Sequence, residues 1–101
     1  MAVIVLSGQR TVTTAGTAVR FTTTAGIGGP GDYLLKALPA NTAVGYVGND
    51  GADDVTSANG LPISAGEVVP VTVTDLYNLM WDSPSDGQGV AWFRMGGQLI
   101  G

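Results

Sequence analysis

The hydrophobic positions of this chain fall into short runs in which apolar and polar residues alternate, and turn-forming residues separate the runs. Alternation with a period of two places successive side chains on opposite faces of a β-strand. Strands that recur about every eight to twelve residues are typical of an all-β sandwich or barrel. The predicted strands are Val3–Leu6, Arg10–Thr14, Thr17–Thr24, Tyr33–Leu38, Ala43–Val47, Leu61–Ile63, Glu67–Thr74, Met80–Asp82 and Val90–Met95.

Turn and proline positions add detail to the predicted sheets. Arg10–Thr14 and Thr17–Thr24 flank a two-residue Ala-Gly turn, and we expect them to form a hairpin. Because proline cannot donate a hydrogen bond to a strand ladder, the strand that contains Pro62 is expected at a sheet edge, and Pro70 is expected at an edge or at a bulge.

One segment departs from the strand pattern. Asp75–Leu79 is predicted to form a single helical turn, with Thr74 or Asp75 able to cap it, and it is too short for an independent helix. No repeat or linker divides the chain, so we expect one domain over 1–101, with an N-terminal arm (1–7) and a C-terminal arm (96–101). The predicted fold class is all-β: a single-domain β-sandwich or jelly-roll-like barrel with about eight short strands and one short helical turn.

Charge and composition exclude several classes of function. The 101 residues include four basic and eight acidic residues, for a net charge of −4, and no histidine or cysteine. Nucleic acids and anionic membranes are bound by clustered Lys and Arg, so we predict neither as a partner. Ser-His-Asp and Cys-His catalysis and imidazole or thiolate metal sites are excluded by composition. The opening MAVIVLSG lacks the basic leader of a secretory signal, and we expect a strand or an arm there.

Residues 46–60, YVGNDGADDVTSANG, concentrate the acidic side chains. No EF-hand frame fits them, because glycine or alanine takes the third ligand position and the bidentate glutamate is missing. Asp50, Asp53 and Asp54 are candidate ligands of a non-standard calcium site. Asn, Asp and Gly also tolerate positive φ and form turns. We therefore favour a long surface turn, with no bound metal, and keep these three residues as a candidate ligand loop.

Two further motifs are better explained as loops than as chemical sites. The stretch GIGGPG (26–31) matches the dinucleotide fingerprint, but that motif opens a helix, and Pro39 leaves no room for one. Asp53, Asp54 and Glu67 offer carboxylates, but a glycosidase holds its pair across a groove in a larger scaffold. We predict that the protein is not an enzyme and has no catalytic residue and no cofactor.

The aromatic residues leave two alternatives open. Exposed rings would form a platform for stacking on sugars, whereas rings in alternating strands usually fill the core. We favour the core and keep an exposed aromatic site as the alternative. The residues concerned are Tyr33, Tyr46, Tyr77, Trp81 and Trp92.

Four stretches follow one another in a distinctive order: TVTTAGTAV (11–19), KALPANTAVGYVGNDG (36–51), SANGLPISAGE (57–67) and DLYNLMWDSPSDGQGVAWF (75–93). In this order and spacing they resemble a group of small virion structural proteins of tailed bacteriophages. Pro70 departs from the pattern of that group, in which the corresponding strand is usually free of proline. The resemblance covers most of residues 8–93.

The resemblance implies a non-enzymatic capsid decoration (cement) protein, made in the bacterial host cytoplasm and bound to the capsid exterior of the virion. Its partners would be the major capsid protein and further copies of itself, in a homotrimer. The apolar ends of the chain would pair with neighbours by strand addition. The alternative is a receptor- or carbohydrate-binding module of a phage tail or fibre, with its site at 46–60. The predicted interface residues are Val3, Ile4, Val5, Leu6, Leu99 and Ile100.

Overall fold

The computed structural model describes residues 2–3, 7–22, 30–97 and 99–100, and almost all regular structure in these ranges is β. Within them, a single 3₁₀ turn, Leu76–Asn78, interrupts the strands. The strands are β1 (Ala2–Val3), β2 (Ser7–Thr11), β3 (Val19–Arg20), β4 (Gly31–Ala37), β5 (Gly45–Gly48), β6 (Leu61–Ile63), β7 (Val68–Val73), β8 (Met80–Asp82), β9 (Gly89–Gly97) and β10 (Leu99–Ile100).

The strand pairs are nested inside one another. Antiparallel pairs join β5 to β6, β4 to β7, β3 to β8, β2 to β9 and β1 to β10. Further pairing of β9 with β4 and of β8 with β5 builds two four-stranded sheets, β2-β9-β4-β7 (the first sheet) and β3-β8-β5-β6 (the second sheet). A folded ribbon wound in this order is a jelly roll. The predicted all-β sandwich is confirmed, and its eight strands are those of the two sheets.

The predicted hairpin of the second and third strands is wrong. β2 and β3 lie in different sheets, where their partners are β9 and β8. Beyond β2 the chain leaves the first sheet: Val12 is buried, and its N–H donates to the Gln88 carbonyl at 2.9 Å. Gly16, at φ 82°, then donates to the Ser83 carbonyl at 3.1 Å. The turn therefore connects the two sheets, and each strand pairs with a segment distant in sequence.

The core lies between the two sheets and is centred on Trp81. The indole ring of Trp81 packs directly on the backbone of Gly45, where any Cβ would overlap it, and its Nε1–H donates to the Gln88 carbonyl at 3.1 Å. Burying each large apolar side chain contributes roughly 1.5–3 kcal/mol. The buried cluster consists of Val12, Phe21, Tyr33, Leu35, Ala37, Val47, Ile63, Leu76, Trp81, Val90 and Trp92.

Both proline-containing strands take the predicted edge positions, since β6 and β7 each end a sheet. Along β7, Val69, Val71 and Val73 pack against the core and Pro70 is exposed. The predicted helical turn is also present. Asp75 caps it by accepting a hydrogen bond from the Tyr77 N–H at 3.0 Å.

Candidate interaction surface

The outer face of the first sheet exposes apolar side chains. Along β9, Val90 and Trp92 point into the core, so the alternation of the strand turns Phe93 and Met95 outward. Each of these two residues is 47% exposed, and Val68 of β7 is 45% exposed. We call this surface the apolar face; its residues are Leu34, Val68, Pro70, Ala91, Phe93 and Met95.

Strand register places these residues side by side. Phe93 of β9 lies opposite Leu34 of β4, and Leu34 lies opposite Pro70 of β7. One row further along, Lys36 stands between Ala91 and Val68. Residues directly opposite on one sheet face are close enough to pack together. The apolar face is therefore unbroken across three strands in the row of Phe93, Leu34 and Pro70, and Lys36 interrupts the neighbouring row.

The charges near the apolar face lie on β4. Asp32 and Lys36 flank Leu34 on the same outward side, two residues away in each direction. Asp32 accepts a hydrogen bond from the Thr72 hydroxyl at 2.7 Å, which ties β4 to the edge strand β7. A surface with an apolar centre and charges beside it has the anatomy of a protein–protein contact.

The outer face of the second sheet, in contrast, is covered. Val55, in the loop between β5 and β6, is fully buried although it lies outside the core cluster. A Cβ added to Gly60 would approach the Tyr46 and Val55 side chains to 2.7 Å, so this loop packs closely on β5. The loop formed by 49–60 therefore shields the second sheet, and the first sheet keeps its apolar face open.

The three aspartates of the candidate ligand loop take part in local structure. Asp50 accepts from the Ala52 N–H at 2.7 Å, and Asp54 accepts from the Val55 N–H at 2.9 Å. Asp53 adopts φ 60° and is therefore in the left-handed region. These contacts support the predicted turn. Among the residues the structure describes, no group of three or more Asp, Glu, His or Cys is placed to hold a metal ion.

Arg20 fastens this loop to the 3₁₀ turn. Its Nη2 lies 2.7 Å from Asp53 Oδ2, and its Nη1 donates to the Tyr77 carbonyl at 2.7 Å. The guanidinium also stacks over the Tyr77 ring, 4.0 Å from the ring centre. The hydrogen bond from Arg20, followed by one from Asn49, lowers the pKa of Asp53 below its ordinary value. Asp53 is thus the partner of an arginine, which weakens its case as a calcium ligand.

The aromatic residues do not form an exposed platform in the described part of the chain. Trp81, Trp92 and Tyr33 are buried, as the core alternative predicted. Tyr46 and Tyr77 are half-buried, and Arg20 covers the Tyr77 ring. Phe93, which is 47% exposed, was not among the aromatic residues considered for such a platform. The exposed aromatic residue is therefore one that the prediction overlooked.

The predicted terminal arms pair with each other. Ala2 lies opposite Ile100, and Val3 lies opposite Leu99, in the antiparallel β1–β10 ribbon. Because β1 precedes β2 and β10 follows β9, the β1–β10 ribbon is the outermost of the nested pairs and comes next to the β2–β9 pair in chain order. Three predicted interface residues, Ile4, Val5 and Leu6, lie outside the described residues.

Searches against protein-family models, curated proteins and solved structures found no match to this chain. In the ranges that the structure describes, no helix is long and apolar enough to cross a membrane.

Proposed function

We propose that this protein is a non-enzymatic capsid decoration (cement) protein of a tailed bacteriophage, which binds the outer capsid lattice and stabilises the head. The observation that carries the proposal is the apolar face, an open contact surface on a small jelly-roll sandwich. The sequence resemblance to small phage virion proteins supports it, and so does the lack of histidine and cysteine. The proposed partners are the major capsid protein and other copies of the chain in a homotrimer.

The apolar face is assigned to the contact with the major capsid protein. Folding buries the inner side of the first sheet but leaves Phe93, Met95 and Val68 about half exposed on its outer side. Contiguous exposed apolar surface is characteristic of interaction sites, because water disfavours it in the free protein. The opposite side of the sandwich is shielded by the loop 49–60. The orientation proposed for the bound protein therefore directs the first sheet toward the shell.

The terminal ribbon has a separate proposed role. Val3, Leu99 and Ile100, together with the three residues outside the described ranges, remain the predicted contacts between neighbouring copies. Because β1 and β10 form a short two-stranded sheet, each offers an edge to which a strand of another copy can add. A symmetric oligomer would place several apolar faces against the lattice at once. The overall affinity of the oligomer would then exceed the affinity of a single face.

The energetic contribution of one side chain shows how such binding works. Phenylalanine buries about 200 Å² in total, so the exposed 47% of Phe93 amounts to about 100 Å². Covering that area contributes about 2.5 kcal/mol. Since the protein would bind the assembled lattice and not its dissociated subunits, this free energy adds to the stability of the shell through mass action.

The proposal is tested by adding purified protein to phage particles assembled without it and measuring co-sedimentation. We expect wild-type protein to bind, and Phe93→Ser to bind about thirtyfold more weakly, which corresponds to about 2 kcal/mol. The matched control is Leu61→Ser, which removes a 51% exposed apolar side chain from the second sheet and should bind like wild type. Equal binding of all three proteins would refute the assigned face, and no binding of wild type would refute the function.

A further inference from the structure

A carboxylate is buried on the outer side of the second sheet. Asp82 of β8 is only 6% exposed and lies opposite Tyr46 of β5. Its neighbour Trp81 points into the core, so the strand alternation directs Asp82 to the outer side, where it shares a cavity with Thr56 and Ser57 of the loop 49–60. Aspartate is almost never this deeply buried without a partner. The position of Asp82 therefore requires an explanation.

The charge of Asp82 is weakly compensated within the protein. Its Oδ1 accepts a hydrogen bond from the Ser83 N–H at 2.7 Å. No lysine or arginine forms an ion pair with it in the described ranges, where the recorded ion pair joins Arg20 to Asp53. A buried charge is costly unless it is paired and hydrogen-bonded. Within the described residues, the other oxygen, Oδ2, accepts no hydrogen bond from the protein.

A cavity of about 200 Å³ opens beside this carboxylate. Asp82, Tyr46 and Ser83 form its wall on the sheet side, and Thr56 and Ser57 form the wall on the loop side. Ser57 and Pro84 are exposed, so the cavity opens to solvent. Among the described lining residues, four carry a hydroxyl group and none is basic, and most of the cavity surface is apolar. Asp82 supplies the one negative charge of this largely apolar cavity.

We infer that this cavity is a binding site for a primary alkylammonium group, either a lysine side chain of another protein or a small free amine, with Asp82 as the counter-ion. An ammonium is compact and has three donors, which suits one carboxylate oxygen and the surrounding hydroxyls. A guanidinium group prefers to donate to both oxygens of a carboxylate, and Asp82 Oδ1 already accepts a hydrogen bond from the Ser83 N–H. A neutral sugar would leave the charge of Asp82 unpaired. The inference is independent of the decoration function.

The test is an NMR titration of the ¹⁵N-labelled full chain with n-butylammonium. We expect saturable shifts of backbone amides at Tyr46, Ser57 and Ser83, with a dissociation constant in the millimolar range. Asp82→Asn removes the charge but keeps an acceptor for the Ser83 N–H, and it should weaken binding at least about tenfold. The control Asp50→Asn removes an exposed charge from the loop 49–60, which forms one wall of the cavity, and should leave binding unchanged.

Two further ligands are compared with n-butylammonium. One distinguishes a lysine side chain from a free amine as the natural ligand, and the other tests whether a neutral sugar binds instead. Nα-acetyl-lysine N-methylamide tests a lysine within a polypeptide, and binding as tight as that of n-butylammonium assigns the site to a protein side chain. Binding of n-butylammonium alone assigns it to free amines. The inference is overturned if neither amine shifts these amides, if Asp82→Asn binds as well as wild type, or if methyl glucoside competes equally.

Discussion

Replacement of Gln88 by methionine is expected to remove a large part of the protein's stability. Gln88 is buried in the turn that precedes β9, and its side chain reaches the loop that follows β4. Its Oε1 accepts from the N–H groups of Thr42 and Ala43, at 2.6 and 3.1 Å. Its Nε2 donates to the Thr42 hydroxyl and to the Asp86 carbonyl, both at 3.1 Å. All four hydrogen-bonding positions of the amide are therefore used.

The size of the effect follows from these four contacts. A hydrogen bond contributes about 1 kcal/mol net, so their loss amounts to about 4 kcal/mol before relaxation. Thr42 is exposed, so water can replace part of the hydrogen bonding that its N–H and hydroxyl groups lose. Methionine has nearly the same length as glutamine and leaves no large cavity, so the hydrogen bonds dominate. We expect Gln88→Met to lower the free energy of unfolding by about 3 kcal/mol, a large share of what a domain of this size possesses.

The assay is urea denaturation followed by tryptophan fluorescence, since both tryptophans are buried. With a slope of about 1–1.5 kcal/mol per molar urea, the midpoint should fall by about 2–3 M. Gln9→Met is the matched control, because Gln9 is exposed on β2. Its free energy of unfolding should stay within about 0.5 kcal/mol of wild type. A loss below about 1 kcal/mol for Gln88→Met would show that this network does not hold the two loops together.

Two further predictions concern the indole groups and the Arg20 contact. Trp81→Phe should destabilise the protein by about 1 kcal/mol more than Trp92→Phe in urea denaturation, because the Trp81 N–H donates to a carbonyl and the buried Trp92 N–H has no partner in the described structure. Equal losses would contradict this. Arg20 lowers the pKa of Asp53, so the stabilisation from this pair is present above about pH 4 and lost as pH falls below it. The stability difference between wild type and Asp53→Asn should therefore shrink in acid, and a constant difference would argue against the pair.

The strands could be predicted where apolar and polar residues alternate regularly and turn-forming residues mark the strand ends. β6 and β8 have the predicted bounds, and the capped turn at Leu76–Asn78 lies inside the predicted segment. The order of the strands could not be predicted in this way. A short turn at Ala15 and Gly16 suits both a hairpin and a crossing between sheets, and only the distant partners β9 and β8 distinguish the two.

The candidate surfaces were less accessible to sequence reasoning. Trp92 and Phe93 are adjacent in a strand and therefore lie on opposite faces, but both are large aromatic residues and either could have faced the core. Asp82 lay within a predicted strand with no sign of a pocket, because the lining comes from segments far apart in the chain, such as Tyr46 and Ser57. Asp82 shares a cavity with Thr56 and Ser57 because the loop 49–60 folds back over the second sheet. That packing is a property of the tertiary structure.

The most direct test of the decoration proposal is quantitative mass spectrometry of gradient-purified phage particles, with the amount of this chain scaled to that of the major capsid protein. The account predicts a simple whole-number ratio between the two proteins, as expected for a subunit that follows the symmetry of the capsid lattice. A few copies per particle would place the chain in the tail, and its absence from the particles would contradict a structural role in the virion.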